Sequence, residues 1–332
     1  MDENLKRNIV DSNELSINAK GGTELVMDWI TSRIDPNLLR HFQFIPSRVR
    51  EIDQKRLPIL ILHDLPHDRE SQHLKDPSSR DRFAGIVMVS NWQMQMYNWV
   101  LDVPYSECKV LQNAIIPFPF QDKPEDSTIR LIYHSTPQRG LSLLIPVFEQ
   151  LCLDFPQYNL ELDVFSSFQI YGWPHRDKPF EDLFKRCKNH PQIRYHGYVS
   201  NENIRDALLK ADIHAYPCIW PETSCISAIE ALAARCVVVC PNFAALPETC
   251  ANWAMMYQWS ENEKEHTERF RAQLIKAIEA VNKAKKENHS SYLKDQASYF
   301  NKFYDVNLRA EQWNIYLSEL LKKRGQAPIK VY

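Results

Sequence analysis

The chain of 332 residues contains few of the features that mark several common protein classes. It has only seven glycines and no Gly-x-Gly-x-x-Gly run, which disfavours an NAD-dependent dinucleotide-binding enzyme. No stretch approaches the roughly 18 apolar residues that cross a membrane. The first residues are polar and lack the apolar core of a signal peptide. We therefore expect a cytoplasmic protein whose contact with membranes is at most peripheral.

Cysteine spacing and net charge disfavour further classes of protein. None of the eight cysteines forms a C-x-x-C pair, and several lie in apolar patterns, which predicts reduced, buried thiols rather than disulfides or a zinc site. The formal net charge of −2 gives no support for a nucleic-acid partner. The oligomeric state is left open by the sequence.

Apolar strands alternate with helices along most of the chain, a pattern typical of parallel sheets covered by helices. The first half predicts strands at 41–45, 58–63, 85–90 and 109–113, with helices at 25–34 and 91–101. The second half predicts strands at 129–135, 160–167, 193–199, 213–218, 236–240 and 255–259. Helices are predicted near 140–153, 178–188, 201–210, 224–235, 263–286 and 306–322.

The segment 117–127 separates these halves. It holds three prolines within eight residues, which exclude a helix or a central strand, so we interpret it as a linker. The chain therefore predicts two α/β, Rossmann-like domains.

Two glutamates eight positions apart carry the main chemical signal. Glu222 precedes a helix and Glu230 lies inside it, while Thr223 and Ser224 offer N-cap chemistry. Because a helix N-terminus attracts phosphate, a diphosphate bound there with one acid near each end would suit a nucleotide sugar. A glutamate pair at this spacing also occurs by chance on solvated helix faces.

In its context after an apolar strand and a proline, this run resembles the Glu-x7-Glu motif of retaining glycosyltransferases of family four, which have the GT-B fold. The resemblance is strongest over 129–260. It implies two Rossmann-like domains, 1–118 and 119–304, whose parallel sheets face across a cleft. It also implies that the C-terminal helix of 305–332 returns to the first domain. Residues 8–20 depart from the pattern, since they are polar where the family has an apolar strand.

The loop after strand 129–135 is similar to the family's Gly-Arg-x4-Lys-Gly loop, whose cations hold the donor diphosphate. Arg139 stands at the lysine position, and its guanidinium can bind phosphate bidentately. His134 stands at the arginine position and would bind best when protonated. Alternatively, Arg139 is only a surface residue at a helix start, where a cation is poorly placed.

Other motifs match the family's remaining donor contacts. His63 resembles the histidine that faces the donor sugar, although His63 and His67 with two aspartates could also suggest metal ligands. Pro66 breaks any common helical face, so no metal site is predicted. The other implied donor-binding residues are Gly21, Gly22, Thr23, Ser135, Tyr198, Val199, Thr223, Ser224, Cys225, Ile226, Ser227 and Glu230. A structural turn explains Gly197, beside Tyr198, equally well.

The resemblance implies a retaining, metal-independent transferase that moves a sugar from a UDP- or GDP-type nucleotide sugar to a glycan, lipid-linked or other hydroxyl acceptor. Glu222, Arg139 and His63 would be its catalytic residues, and no cofactor is needed. No Asp-x-Asp pair follows an apolar strand, which argues against the metal-dependent GT-A fold. Two alternatives stay open: a non-catalytic nucleotide-sugar-binding GT-B protein and a nucleotide-sugar epimerase.

Arg235 ends the predicted helix at 224–235, where the family usually has glycine. A residue that closes a helix there often takes a left-handed conformation, which costs least for glycine. We therefore expect either some backbone strain at Arg235 or a different helix cap.

Overall fold

The computed structural model describes residues 21–287 and 291–323, which fall into two compact units. The first contains 21–116 and 304–323, and the second contains 117–287 and 291–303. Residues 8–20, which are polar where the family has an apolar strand, lie outside the described residues.

The first unit is built on a parallel sheet of four strands, β1 (Phe42–Pro46), β2 (Leu57–Leu62), β3 (Gly85–Met88) and β4 (Cys108–Val110), in that order. All six residues of β2 are buried, as an interior strand of a parallel sheet requires. The helices here are α1 (Gly22–Thr31), α2 (Pro36–Leu39), α3 (Pro77–Arg80) and α4 (Asn91–Leu101).

The second unit contains a parallel sheet of six strands. These are β5 (Thr128–His134), β6 (Asn159–Phe165), β7 (Ile193–Tyr195), β8 (Ile213–Ala215), β9 (Val237–Pro241) and β10 (Met255–Tyr257). Their spatial order is β10-β9-β8-β5-β6-β7, so the chain changes direction across the sheet between β5 and β8. In a doubly wound sheet this switch point is where ligands bind, beyond the carboxyl ends of the strands.

Seven helices of the second unit lie in the described ranges: α5 (Leu141–Asp154), α6 (Glu181–Asn189), α7 (Asn201–Lys210), α8 (Ile226–Ala233), α9 (Leu246–Cys250), α10 (Glu263–Glu287) and α11 (Ser291–Phe303). The strand and helix alternation confirms the predicted α/β class. The sequence prediction missed α11, which packs against α8. There, the buried Gln296 side chain donates hydrogen bonds to the carbonyls of Leu232 at 2.9 Å and Cys236 at 3.0 Å.

The last helix, α12 (Val306–Lys323), belongs to the first unit. Its Trp313 is buried and packs against Phe44 of β1, with ring centroids 5.1 Å apart. Its Tyr316 lies over Gly85, where an added Cβ would be 2.2 Å from the tyrosine hydroxyl. A larger residue at the start of β3 would have to displace the Tyr316 ring.

Residues 117–127, the predicted linker, contain no strand or helix. Arg235 adopts the left-handed conformation with φ +66°, so the expected strain is present. Its side chain donates to the Gln121 carbonyl at 2.9 Å, pairs with Asp122 at 3.4 Å and lies over the Phe120 ring. Arg235 thus attaches the linker to the second unit. Over 21–287 and 291–323, no helix has the length and apolar character needed to span a membrane.

Candidate functional site

The loops after β5 and β8 meet at the switch point of the six-stranded sheet. Gly140 follows a short 3-10 turn at Pro137–Arg139 and has φ +121°. A Cβ at this position would lie 2.1 Å from the carbonyl oxygen of Pro217, so the two loop backbones are in direct contact. Only glycine satisfies both the conformation and the close approach. This contact brings Arg139 to the loop that carries Glu222.

Arg139 and Glu222 form a buried ion pair in which the arginine Nη1 donates to the carboxylate Oε1. The hydroxyl of Tyr216, just after β8, donates to the same oxygen at 2.5 Å. The Glu222 side chain is only 5% exposed, whereas that of Arg139 is 22% exposed. The acid is therefore fixed by the protein, and the arginine is the partner that ligands can reach.

The protonation states at this pair follow from burial and charge. Burial disfavours the charged form of Arg139, but the adjacent Glu222 carboxylate outweighs it and raises the arginine pKa well above its ordinary value. Burial also raises the pKa of Tyr216, so the phenol stays a neutral hydrogen-bond donor. The site consequently keeps a permanent cation beside a hydrogen-bonded carboxylate.

Unpaired polar atoms cluster in the loop after β5. Within the part of the chain that the structure describes, Thr136 Oγ1, Gln138 Oε1 and Arg139 Nε are buried without hydrogen-bond partners. Buried polar atoms in folded proteins are usually paired, so these three atoms have the capacity to bond a polar group that enters the loop. This loop is the one that resembles the family's diphosphate-binding loop.

The surroundings of His134 disfavour its protonated form, the form in which it was expected to bind best. His134 ends β5, is 8% exposed and packs against His214, with ring centroids 4.6 Å apart. Burial, with a further contribution from His214, lowers the pKa of His134 well below its ordinary value. The imidazole is therefore neutral near pH 7, and Arg139 is the permanent cation of this loop. Ser135 follows His134 in the same loop.

The helix start predicted near Thr223 and Ser224 is also corrected. Helix α8 begins at Ile226, its N-cap is Cys225, and no side chain caps it. Thr223 and Ser224 lie before the helix, in the bend that connects Glu222 to α8. The first turn of α8, which includes Ser227, is a helix start of the kind whose backbone N–H groups can bind an anion.

Glu230 lies about one turn into α8 and pairs with Arg205 of α7 at 3.3 Å rather than with Arg139. Its carboxyl is 4% exposed, and burial raises its pKa to about 6 against the opposing effects of Arg205 and Asn201. Tyr198 and Val199, predicted to pack the nucleotide base, immediately precede α7. The second glutamate is therefore beside the helix that follows the predicted base-binding loop.

The remaining predicted residues belong to the first unit. Gly21 is the N-cap of α1, while Gly22 and Thr23 are its first two residues. His63 follows β2, and its backbone N–H donates to the Ser47 hydroxyl at 2.9 Å. Burial lowers the pKa of His63 to about 4, so it is neutral near pH 7. Among the described residues, no three His, Cys, Asp or Glu side chains are grouped to hold a metal ion.

The sequence prediction overlooked two residues that hold the acids in place. Tyr216 bonds Glu222, and Arg205 bonds Glu230. Tyr216 lies inside the predicted strand 213–218, close to the carboxyl end where sites form. A hydrogen-bonding side chain at that end is a signal that could have identified it. Arg205 lies on a helix with many other polar residues, so the sequence gives no comparable signal.

Comparisons with known proteins show the family and the fold of the chain. The family model of glycosyl transferases group 1 matches residues 117–292, which is more than half of the chain. No curated protein matches the sequence significantly. A glycosyltransferase from Rickettsia africae ESF-5 is similar in structure, with a TM-score of 0.64 and 13% identity over 94% of this chain and 84% of that chain.

Two further similar structures are complexes with UDP and a sugar. The pneumococcal O-GlcNAc transferase GtfA, in complex with UDP and GlcNAc, has a TM-score of 0.61 and 9% identity, covering 90% of this chain and 60% of its own. Anabaena HepE, in complex with UDP and glucose, has a TM-score of 0.60 and 14% identity, covering 80% and 72%. The family match and these structural similarities together show that the chain belongs to the glycosyl transferases group 1 family and has the two-domain GT-B fold.

Proposed function

We propose that this glycosyltransferase takes a sugar from a nucleotide-diphosphate donor and transfers it to a hydroxyl of a glycan or lipid-linked acceptor, with retention and without a metal ion. The observation that carries the proposal is the set of unpaired buried polar atoms in the loop after β5. They belong to Thr136, Gln138 and the cation Arg139, in the loop that leaves the sheet at its switch point.

The leaving diphosphate gains negative charge as the bond from the sugar anomeric carbon to the phosphate oxygen breaks. Arg139 and the uncapped N–H groups of α8 are the groups that would stabilise this charge. By analogy with other oxyanion donors, each such contact lowers the activation barrier by about 2–4 kcal/mol. The acceptor oxygen bonds the anomeric carbon on the same face, and its proton goes to the departing phosphate oxygen.

Glu222 is suited to hold hydroxyl groups of the donor sugar. In the ligand-free protein its carboxylate accepts hydrogen bonds from Arg139 and Tyr216. A diphosphate that engages Arg139 competes for that guanidinium and releases acceptor capacity on Glu222 for sugar hydroxyls. Donor phosphate and donor sugar would thus be recognised by the two halves of one ion pair.

UDP-sugars are the donors to test first. The pneumococcal and Anabaena structures contain UDP with a sugar, and a GDP-sugar is the other donor type expected from the sequence. We also propose a cytoplasmic location, since all eight cysteines are described and all are unpaired thiols.

A non-catalytic nucleotide-sugar-binding protein is the second candidate. The observation that favours it is the neutral His134, which replaces a cation of the family's diphosphate-binding loop. Such a protein would bind the donor without breaking it.

Calorimetry against UDP- and GDP-sugars in EDTA, followed by NMR of donor consumption, tests the proposal. Arg139→Ala should abolish donor binding. Arg186→Ala is the matched control, because Arg186 pairs with Glu149 on an exposed face of the same unit. Binding without consumption in the presence of acceptors would favour the second candidate. A requirement for added metal, or full donor binding by Arg139→Ala, would contradict the proposal.

A further inference from the structure

Four aromatic side chains form a continuous row on the surface of the second unit. Tyr292, Tyr299 and Phe303 lie on α11, and Trp253 lies in the loop that connects α9 to β10. The ring centroid of Trp253 is 5.1 Å from that of Tyr292 and 6.1 Å from that of Tyr299. The rings of Tyr299 and Phe303 are 5.4 Å apart. These four residues are the aromatic row, and none of them has a part in the donor chemistry proposed above.

The aromatic row is open to solvent although its members are large. Tyr292 is 56% exposed, Phe303 38% and Tyr299 36%. Phe300 of the same helix is fully buried, so α11 has a separate face for the core. Single exposed apolar residues are ordinary, whereas a contiguous exposed group is typical of a binding surface.

Backbone strain places Trp253 in the row. Ala251 and Asn252, the two residues before it, have φ +47° and +65°. This is the left-handed region, which alanine rarely adopts. The carbonyl of Trp253 accepts a hydrogen bond from the Tyr292 hydroxyl at 3.3 Å, which holds the loop against α11. Strain of this kind is concentrated at functional sites.

The aromatic row is remote from the donor site within the second unit. Trp253 comes shortly before β10, so it lies at the amino edge of the parallel sheet. Arg139 follows β5 and lies at the carboxyl edge. A ligand on the row therefore does not compete with a diphosphate at Arg139.

The charges beside the row disfavour two classes of partner. The charged residues of α11 are Lys294, Asp295 and Lys302, so both signs are present. Asp295 is three residues from Tyr292 and four from Tyr299, which makes it a neighbour of both on the helix surface. Anionic membranes and nucleic acids are bound by surfaces of one, positive sign. This helix does not provide such a surface.

The area of the row disfavours a protein partner. An aromatic side chain buries roughly 150–250 Å² when it is covered, so the exposed parts of Tyr292, Tyr299 and Phe303 together offer roughly 250 Å². A stable dimer needs about 800 Å² from each partner. The row is therefore suited to a ligand much smaller than a second copy of the chain.

A sugar chain has the chemistry that the row can bind. The faces of a pyranose ring carry C–H groups and its edge carries hydroxyls. Such a ring can stack on an aromatic side chain while a hydroxyl donates to a carboxylate such as that of Asp295. The helical rise separates Tyr292 from Tyr299 by about 10 Å along α11, and Phe303 lies about 6 Å further. The row is thus longer than one sugar ring.

We propose that the aromatic row binds a linear oligosaccharide whose rings stack on Tyr292, Tyr299 and Phe303. This inference rests on the proposed function, because it takes its ligand to be the glycan on which the transferase acts. The row retains a glycan on the protein between transfers, and it does not orient the reacting hydroxyl.

Saturation-transfer NMR titrations of the full chain test the row. The probes are cellopentaose, maltopentaose and chitopentaose, with the methyl glycosides of glucose and N-acetylglucosamine as single-sugar comparisons. We expect at least one pentasaccharide to bind, and to bind more tightly than its methyl glycoside. Tyr292→Ala and Tyr299→Ala should each weaken that binding about fivefold or more, as loss of an aromatic contact does. Tyr299→Phe keeps the ring and should bind as the wild type does.

Phe120→Ala is the matched control, since Phe120 is an exposed aromatic residue of the same unit outside the row. It should leave oligosaccharide binding unchanged. The inference is overturned if no pentasaccharide binds, if the methyl glycosides bind as tightly, or if both alanine variants bind normally. Loss of binding in Tyr299→Phe would also contradict stacking on the ring.

Two further measurements examine the disfavoured partners. Sedimentation with vesicles of phosphatidylcholine and phosphatidylglycerol, or a dimer in light scattering, would overturn the inference if Tyr299→Ala abolished it. Calorimetry with UDP separates the two proposals, because the row variants should bind UDP as the wild type does. Retained UDP binding without oligosaccharide binding removes the row site alone, whereas absent UDP binding in the wild type counts against the proposed donor.

Discussion

Neutralising Glu222 should destabilise the protein and change how it recognises its donor. In Glu222→Gln the amide oxygen can still accept from Tyr216, but Arg139 loses its counter-charge. Breaking a buried ion pair costs about 3–5 kcal/mol. The Arg139 side chain is 22% exposed, so solvent screens part of the loss, and we expect about 2 kcal/mol. For a unit of this size, that lowers Tm by roughly 4–8 °C.

The same variant separates recognition of phosphate from recognition of sugar. Because Arg139 is no longer shared with a carboxylate, UDP should bind at least as tightly as to the wild type. Glu222 supplies the proposed hydroxyl contacts, so the additional affinity of a UDP-sugar over UDP should fall about tenfold or more. Calorimetric titrations with UDP and with the preferred UDP-sugar measure both quantities on one sample.

Glu149→Gln provides the comparison for this experiment. It removes the acid of the exposed pair with Arg186 in the same unit, and exposed pairs contribute about 0–1 kcal/mol. An unchanged Tm for Glu222→Gln would refute the structural reasoning. An unchanged preference for the UDP-sugar over UDP would refute the role given to Glu222.

Three further predictions concern other parts of the chain. Gly140→Ala meets both a positive φ and a backbone oxygen, so it should lose about 2–4 kcal/mol in urea unfolding. At Gly197, with φ +63°, an added Cβ would make only ordinary contact with the Tyr195 ring, 3.7 Å away, so Gly197→Ala should lose only about 1–2 kcal/mol. Burial raises the pKa of Asp64 from 3.8 to about 6, so its destabilising effect develops between these two pH values and is complete above them. The side chain is 30% exposed, which reduces the effect, so Asp64→Asn should gain roughly 1 kcal/mol at pH 8 and almost nothing at about pH 3; parallel stability–pH curves would contradict this. Arg205→Gln leaves Glu230 buried without its cation, so the free energy of unfolding should fall by about 3 kcal/mol. UDP should also bind more weakly. A normal UDP affinity would contradict a role for Glu230 in nucleotide binding.

Most of the secondary structure could be predicted from the sequence, because the buried strands are continuous apolar runs. The strand predicted at 236–240 is β9 at Val237–Pro241, and the helix predicted at 201–210 is α7 at the same residues. Helix α11 was missed, since the segment from Ser291 to Phe303 is largely polar. Its buried residues are Gln296, Ala297 and Phe300, and the burial of Gln296 depends on backbone carbonyls elsewhere in the unit.

The ion pair and the protonation states of the site could not be predicted from the sequence. Motif similarity identified Arg139 and Glu222 separately, but their direct pairing joins residues 83 positions apart and depends on the contact at Gly140. The neutrality of His134 likewise follows from its burial against His214, which no local pattern reveals.

The most direct test of the central claim is an NMR time course of a UDP-sugar with a neutral methyl glycoside in EDTA. The anomeric configuration of the new bond is read from the same spectra. We predict that the wild type releases UDP and forms a bond with the donor's configuration, and that Arg139→Ala releases none. No release from any UDP- or GDP-sugar, or a product of inverted configuration, would contradict the proposed retaining transferase.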